Sequence, residues 1–249
     1  MSSTQAAAVF GASGSVGSAL IEELIRDGSF RTIVTVVRRS QPDEVARARD
    51  ARVELREVLV PAMDPPAVEA ATMEAIASLE GDVVGFSVLG IGAGTAKLTI
   101  EEHRVVDVQL NAAFARGLTA SGRVKHLAFM SAAGADPTAA STGSGAAGMA
   151  RYARVKGEAE EAVKESGPPV VSVFRPALII GSRHTPWLLE KLLPAFSFMT
   201  PAKYKSITVE QIARAMIATS LHMPAKSGVY HYPEMMALNR VANGPTPIG

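Results

Sequence analysis

A short apolar stretch, residues 6–10, runs straight into Gly11-Ala-Ser-Gly14-Ser-Val-Gly17, and this glycine spacing restricts the fold more than any other feature of the chain. The glycines precede an apolar-periodic run from Ser15 to Ile25 that ends near Gly28. The pattern predicts a strand, a tight turn and a helix. Glycine allows such a turn to close and lets a helix or a ligand approach the backbone where a side chain would intervene. Residues 31–37 follow as a β-branched run (Ile33, Val34, Val36, Val37) and complete a first βαβ unit.

Further strand-length apolar stretches fall at residues 53–60, 82–89, 125–130 and 170–174, with helical patterns at 69–79 and 99–120. Continuous apolar strands alternating with helices predict a parallel sheet covered on both faces. Right-handed crossovers then give an α/β, Rossmann-like doubly wound sheet with ligands at the carboxyl ends of its strands. After Arg175 the alternation weakens, and helices are expected near residues 187–193 and 209–220. No linker or repeat divides the 249 residues, which read as a single domain, with about 177–249 supplying substrate-side elements. Residues 139–148 are all Ala, Ser, Thr or Gly, so a mobile surface loop is expected there. The Gly/Pro-rich tail over 239–249 is expected to be poorly ordered.

Composition narrows the partners. A formal net charge of +1 offers no footprint for nucleic acid or an anionic membrane, and Arg38-Arg39 is too short for a basic patch. No apolar run nears the ~18 residues that span a bilayer. The absence of cysteine excludes disulfides, thiolate catalysis and cysteine-held metal, and the 5 histidines show no paired metal spacing. The first residues lack the charged start and apolar segment of a secretory signal, which leaves the cytoplasm as the default expectation.

The glycine turn suggests a dinucleotide. Gly11, Ser13, Gly14, Ser15, Val16 and Gly17 would bring backbone N–H groups at a helix start to a pyrophosphate. A βα turn using glycine for shape alone is the alternative. NAD would call for an acidic residue about 20 residues past the glycines. The end of the second strand reads instead Val36-Val37-Arg38-Arg39-Ser40, without a carboxylate. Guanidinium forks match a 2′-phosphate, so NADP(H) is expected over NAD(H), unless both arginines are simply solvated. After Leu89, the cluster Gly90-Ile-Gly92-Ala-Gly94 either admits the cofactor to the strand end, with Leu89 and Gly90 as contacts, or is a plain loop.

Tyr152 and Lys156 stand four apart on a run with helical spacing (Tyr152, Val155, Ala159, Ala162) that Gly167-Pro168-Pro169 stops. A cation beside a phenol favours phenolate and so eases proton exchange at neutral pH. The bland alternative is a core aromatic with an exposed lysine. Ser131 ends the 125–130 strand, where its hydroxyl can bond a substrate oxygen, and Pro176 exposes backbone without an N–H at the end of the next strand.

The G-x-x-G-x-x-G turn, Ser131, Tyr152-x-x-x-Lys156 and Phe174-Arg-Pro176 resemble the short-chain dehydrogenase/reductase superfamily in its extended or atypical branch. Gly11-Ala-Ser-Gly14, Val37-Arg-Arg39, Gly134-Ala-Asp136, Val155-Lys-Gly157-Glu158 and Val173-Phe-Arg-Pro176 look most like its Tat-interacting oxidoreductase-like group, over about residues 9–218. The resemblance implies a Rossmann fold that binds NADP(H). It also implies roles: the tyrosine matching Tyr152 exchanges a proton as hydride moves. The lysine matching Lys156 lowers the phenol pKa and bonds the nicotinamide ribose, and the serine matching Ser131 orients the substrate oxygen. Two features depart from the pattern. The catalytic asparagine of many members falls here near Asp107, with Asn111 one turn later. Residues 139–148 also lengthen the gap between Ser131 and Tyr152, as a substrate lid or as a tolerated insertion.

The expected function is an NADP(H)-dependent reductase or dehydrogenase acting on a small or medium carbonyl or alcohol. A non-catalytic NADP(H)-binding regulator with protein partners is the alternative. A sugar-nucleotide epimerase is a third reading, disfavoured by the modest region after Arg175. Pocket walls are expected from Trp187 and Leu188 and from helix 209–220, whose apolar character hints at a hydrophobic substrate.

Overall fold

The computed structural model describes residues 5–92, 98–140, 146–181 and 201–242. Among them, β1 (Gln5–Phe10), α1 (Ser15–Asp27), β2 (Phe30–Val37), α2 (Pro42–Asp50) and β3 (Glu54–Leu59) form the first half of the fold. Then come α3 (Pro65–Ala77), β4 (Asp82–Ser87), α4 (Ile100–Arg104), a π-helical segment (Val105–Leu110), α5 (Asn111–Ala120) and β5 (Val124–Met130). The rest comprises α6 (Ala146–Ser166), β6 (Val170–Phe174), β7 (Ile179–Ile180), β8 (Ile207–Thr208), α7 (Val209–Leu221), β9 (Gly228–Tyr230) and α8 (Tyr232–Ala242).

Seven parallel strands pair in the order β3-β2-β1-β4-β5-β6-β9. The chain winds outward from β1 through β2 to β3, then resumes on the other side of β1 with β4. The carboxyl ends of β1 and β4 therefore flank the switch point, where neighbouring loops diverge and leave a crevice.

Strand periodicity explains why both faces are covered. In β1, Ala7 and Val9 face one apolar cluster with α1 and α7, while Ala6, Ala8 and Phe10 face another with α3, α5 and α6. Phe10 stacks on Phe114 at 5.1 Å on the second face, and Phe30 meets Phe86 edge-on at 6.3 Å on the first. All four rings are buried, each contributing about 1.5–3 kcal/mol through loss of apolar surface to water.

The structure alters several sequence expectations. α2, with acidic residues in its first turn, escapes a reading based on apolar period because little of it is buried. α3 begins at Pro65 because Asp64 accepts a hydrogen bond from the Ala67 N–H, a cap that apolar spacing does not register. The expected loop over 139–148 is already helical from Ala146, since α6 extends back from Tyr152. The expected poorly ordered tail is helical through Ala242, with Asn239 nearly buried and its amide donating to the Gln211 carbonyl at 3.0 Å. Residues 209–221 do form a helix, but its apolar face packs in the cluster with α1 and does not line the cavity at the carboxyl ends of the strands. Likewise β9 extends the central sheet, so part of the 177–249 stretch belongs to the Rossmann core. Trp187, Leu188, Gly94 and the helix expected at 187–193 lie outside the described residues.

Candidate functional site

A cavity of about 410 Å³ opens at the switch point. One wall comes from the turn after β1, through Gly11, Ser13, Gly14, Ser15 and Val16. The loop after β4 adds residues 88–92, including Leu89 and Gly90, and the ends of β5 and β6 add Met130, Ser131, Pro176 and Ala177. Tyr152 and Lys156 reach in from α6. Eleven of the expected site residues thus meet in one place, though they come from five separate segments of the chain. Gly17, Arg38 and Arg39 do not line it.

Backbone proximity shapes the first wall. Gly11 adopts φ +87, and a Cβ there would stand 2.5 Å from the Leu89 nitrogen. A Cβ on Gly17 would overlap the Gly11 carbonyl oxygen and press on Ala12, so Gly17 seats α1 against the turn from behind. No side chain caps α1 at Gly14, and a helix start is where backbone N–H groups can meet an anion. Arg38 and Arg39 project from the carboxyl end of β2, exposed and without a hydrogen-bond or ion-pair partner among the described residues. Beside them Glu57 accepts from Ser40 Oγ at 2.5 Å and from the Gln41 N–H at 2.6 Å, tying down the loop that carries the arginines.

The opposite wall is ionic and almost dry. Lys156 Nζ lies 2.5 Å from Asp107 Oδ1, with the side chains 4% and 0% exposed. Asp107 Oδ2 accepts the Ile91 N–H at 3.2 Å and stands 3.4 Å from His103 Nε2. The His103 ring in turn stacks on Tyr152 with centroids 5.7 Å apart, and Lys156 Nζ lies 5.8 Å from the Tyr152 ring centre. Burial alone would push the Asp107 carboxyl up, but the Lys156 ammonium, helped by His103, outweighs it and holds the pKa at about 2. Burial likewise opposes the Lys156 charge, yet Asp107 foremost raises it to about 12. Both groups therefore stay ionised across the neutral range.

Gly90 belongs to this wall. A Cβ there would come within 2.9 Å of Lys156 Nζ and 3.1 Å of Asp107 Oδ1. The glycine that the sequence marks for close approach of a ligand is thus also the one that makes room for the ion pair.

The sequence left the fourth site position open between Asp107 and Asn111, and the two are differently engaged. Asn111 accepts from Ser87 Oγ, donates to the Asp107 carbonyl at 2.9 Å, and so braces the π-helical segment against β4. Asp107 turns its carboxylate to Lys156. His103 was missed altogether; its spacing of four from Asp107 on a helical run was the available signal. Ser131, at the end of β5, is held by its N–H to the Phe174 carbonyl at 2.7 Å. Its hydroxyl oxygen is buried and lacks a partner among the described residues.

These residues fit a dinucleotide. The glycine turn at the start of α1 lets a pyrophosphate approach the backbone, and the Ser131 hydroxyl, without a partner among the described residues, leaves a donor for an oxygen in the cavity.

Comparison with known proteins agrees with that geometry. Residues 11–222 match the model of the NAD(P)H-binding family, and the chain belongs to that family. Its fold is similar to that of yeast methylglyoxal/isovaleraldehyde reductase complexed with NADPH, at 12% identity and TM-score 0.62, covering 91% of this chain and 78% of that one. It is similar as well to L-sorbose reductase from Gluconobacter frateurii complexed with NADPH and L-sorbose, at 17% identity and TM-score 0.62, covering 93% and 96%. A short-chain dehydrogenase/reductase from Serratia marcescens aligns at 15% identity and TM-score 0.61, covering 92% and 97%. Among the described residues no helix is long and apolar enough to cross a membrane.

Proposed function

We propose that this chain is an NADP(H)-dependent oxidoreductase of short-chain dehydrogenase/reductase type, in the branch of the Tat-interacting oxidoreductase-like group. It moves hydride between the cofactor and a carbonyl or alcohol. One observation carries the reading: Ser131, Tyr152 and Lys156, from two different elements, line the same cavity as the glycine turn. A nicotinamide cofactor bound there supplies or accepts the hydride.

Each side chain then has a task. The Ser131 hydroxyl donates to the substrate oxygen and holds it beside Tyr152. The Tyr152 phenol gives its proton to that oxygen during reduction, or takes one from the alcohol in reverse. Lys156 keeps positive charge next to the phenol and bonds the nicotinamide ribose. Arg38 and Arg39, exposed and unpaired among the described residues, favour the 2′-phosphate of NADP(H). The apolar residues Val88, Ile91, Met130 and Ile179 in the cavity lining suit a small, largely hydrophobic carbonyl compound.

Cofactor oxidation with a panel of aldehydes and ketones tests the proposal. Tyr152→Phe is expected to lose about 100- to 10,000-fold in turnover while still binding NADPH, as removal of a general acid does. Tight NADPH binding with no turnover that depends on Tyr152 would overturn it and favour the non-catalytic regulator with protein partners.

A further inference from the structure

His103 is 1% exposed, and neither of its ring nitrogens has a hydrogen-bond partner among the described residues. Its Nε2 stands 3.4 Å from Asp107 Oδ2 without hydrogen-bond geometry. A polar ring kept dry and unbonded costs stability, so its place calls for a contact made by the ring itself. That contact is the stack on Tyr152, with centroids 5.7 Å apart and planes 20° from parallel. Tyr152 lines the cavity and His103 does not, so the imidazole stands behind the phenol.

Two features hold α4 in that place. A capping box closes its first turn: Thr99 Oγ1 accepts from the Glu102 N–H at 3.1 Å, and the Glu102 carboxylate accepts from the Thr99 N–H at 2.8 Å. The residue after His103 clamps α4 to α6, because Arg104 donates to both oxygens of Glu158 at 2.7 and 2.8 Å. Arg154 donates to the same carboxylate at 2.9 Å. The Tyr152 hydroxyl, by contrast, makes no hydrogen bond among the described residues. The ring is held by the stack and by the Lys156 ammonium 5.8 Å from its centre. A side chain held by its ring depends for its direction on the surface beside it.

We propose that His103 is the positioning residue of the phenol: its ring fills the space into which Tyr152 would turn about its Cα–Cβ bond, and so keeps the hydroxyl at the cavity. The inference rests on the oxidoreductase reading, because it assumes that this hydroxyl exchanges a proton with the substrate. The effect falls on turnover and not on binding, since a misdirected acid slows proton transfer and leaves the cofactor's contacts untouched. The ring face is what counts, so another aromatic side chain serves and an aliphatic one does not.

The test compares His103→Leu and His103→Phe in the full chain, with NADPH and a carbonyl compound that the wild type reduces. His103→Leu is expected to lower kcat about tenfold while KM and NADPH affinity stay within about twofold, and His103→Phe to restore kcat. In the Tyr152→Phe background, His103→Leu should change the residual turnover by less than about twofold, because a residue that acts through another has no effect once the other is gone. Wild-type kcat in His103→Leu, or equal losses in both backgrounds, would overturn the proposal and leave the function reading intact. A His103→Phe as slow as His103→Leu would overturn it as well, by showing that the nitrogens matter and the ring face does not. Should His103→Leu not fold, His103→Phe decides alone: full turnover supports the ring contact and a tenfold loss overturns it. A second readout needs no turnover. The Tyr152 ring resonances, assigned by their absence in Tyr152→Phe, should move toward those of an unstacked tyrosine in His103→Leu and not in His103→Phe. Unmoved resonances in His103→Leu overturn the proposal whether or not a carbonyl is reduced. Resonances that move as expected in a chain without Tyr152-dependent turnover would instead sink the function reading, and the positioning role with it.

Discussion

The two walls of the cavity work by opposite means. Along the turn from Gly11 to Gly17, the structure depends on side chains being absent, so that backbone can meet backbone. Across the cavity, Asp107, Lys156, His103 and Tyr152 depend on side chains being present and kept from water. The first wall tolerates no added atom at Gly11 or Gly17; the second tolerates no lost partner. Steric contact is short-ranged and insensitive to pH, whereas a buried ion pair responds to protonation and to the removal of either charge. A wall built by steric fit and a wall built by charge therefore share one crevice while answering to different perturbations.

The sharpest way to break the contrast is on the steric side. Gly17→Ala would drive a Cβ into the Gly11 carbonyl oxygen and the Ala12 backbone. We expect a loss of about 3 kcal/mol, at the upper end for overpacking because backbone atoms must move. The loss should be the same at pH 5 and pH 8 by urea denaturation, and a pH-dependent loss would show that the walls are not separable.

The ionic side should show the converse. Asp107 is depressed from 3.8 to about 2, so its stabilisation is complete above pH 3.8 and disappears as pH falls toward 2. At roughly 1.4 kcal/mol per pK unit, that is about 2 kcal/mol. Asp107→Asn/Lys156→Met should lack this component when urea stabilities at pH 4.5 and pH 2.5 are compared with wild type. Away from the cavity, burial lowers His126 from 6.5 to about 4 beside Ser172. Its folded form resists protonation, so stability falls as pH drops from 6.5 to 4, and His126→Gln should flatten that window alone.

The smallest effect belongs to the exposed arginines. Arg38→Ala and Arg39→Ala should each reduce the preference for NADPH over NADH by about tenfold, as expected when one solvent-exposed phosphate contact is lost. Equal affinities of wild type for the two cofactors would remove the basis for that specificity.

Much of this was legible in the chain because it rests on short-range rules. The glycine intervals, the β-branched runs and the four-residue spacing of Tyr152 and Lys156 each act within a turn or two of backbone. They determined the doubly wound parallel sheet, the turn after β1 and the helix that bears the phenol and the ammonium. α2 and the first turn of α3 were missed because charged surface and capping chemistry, not apolar period, define them. Tertiary structure alone decided that Asp107, 49 residues before Lys156, would be its partner, and that Gly90 would leave room for both. Spacing along a chain has no bearing on such a pair. Its members meet because β4 and β5 lie side by side in the sheet and α6 crosses behind the π-helical segment, and in the dry space so formed each charge is stable only against the other.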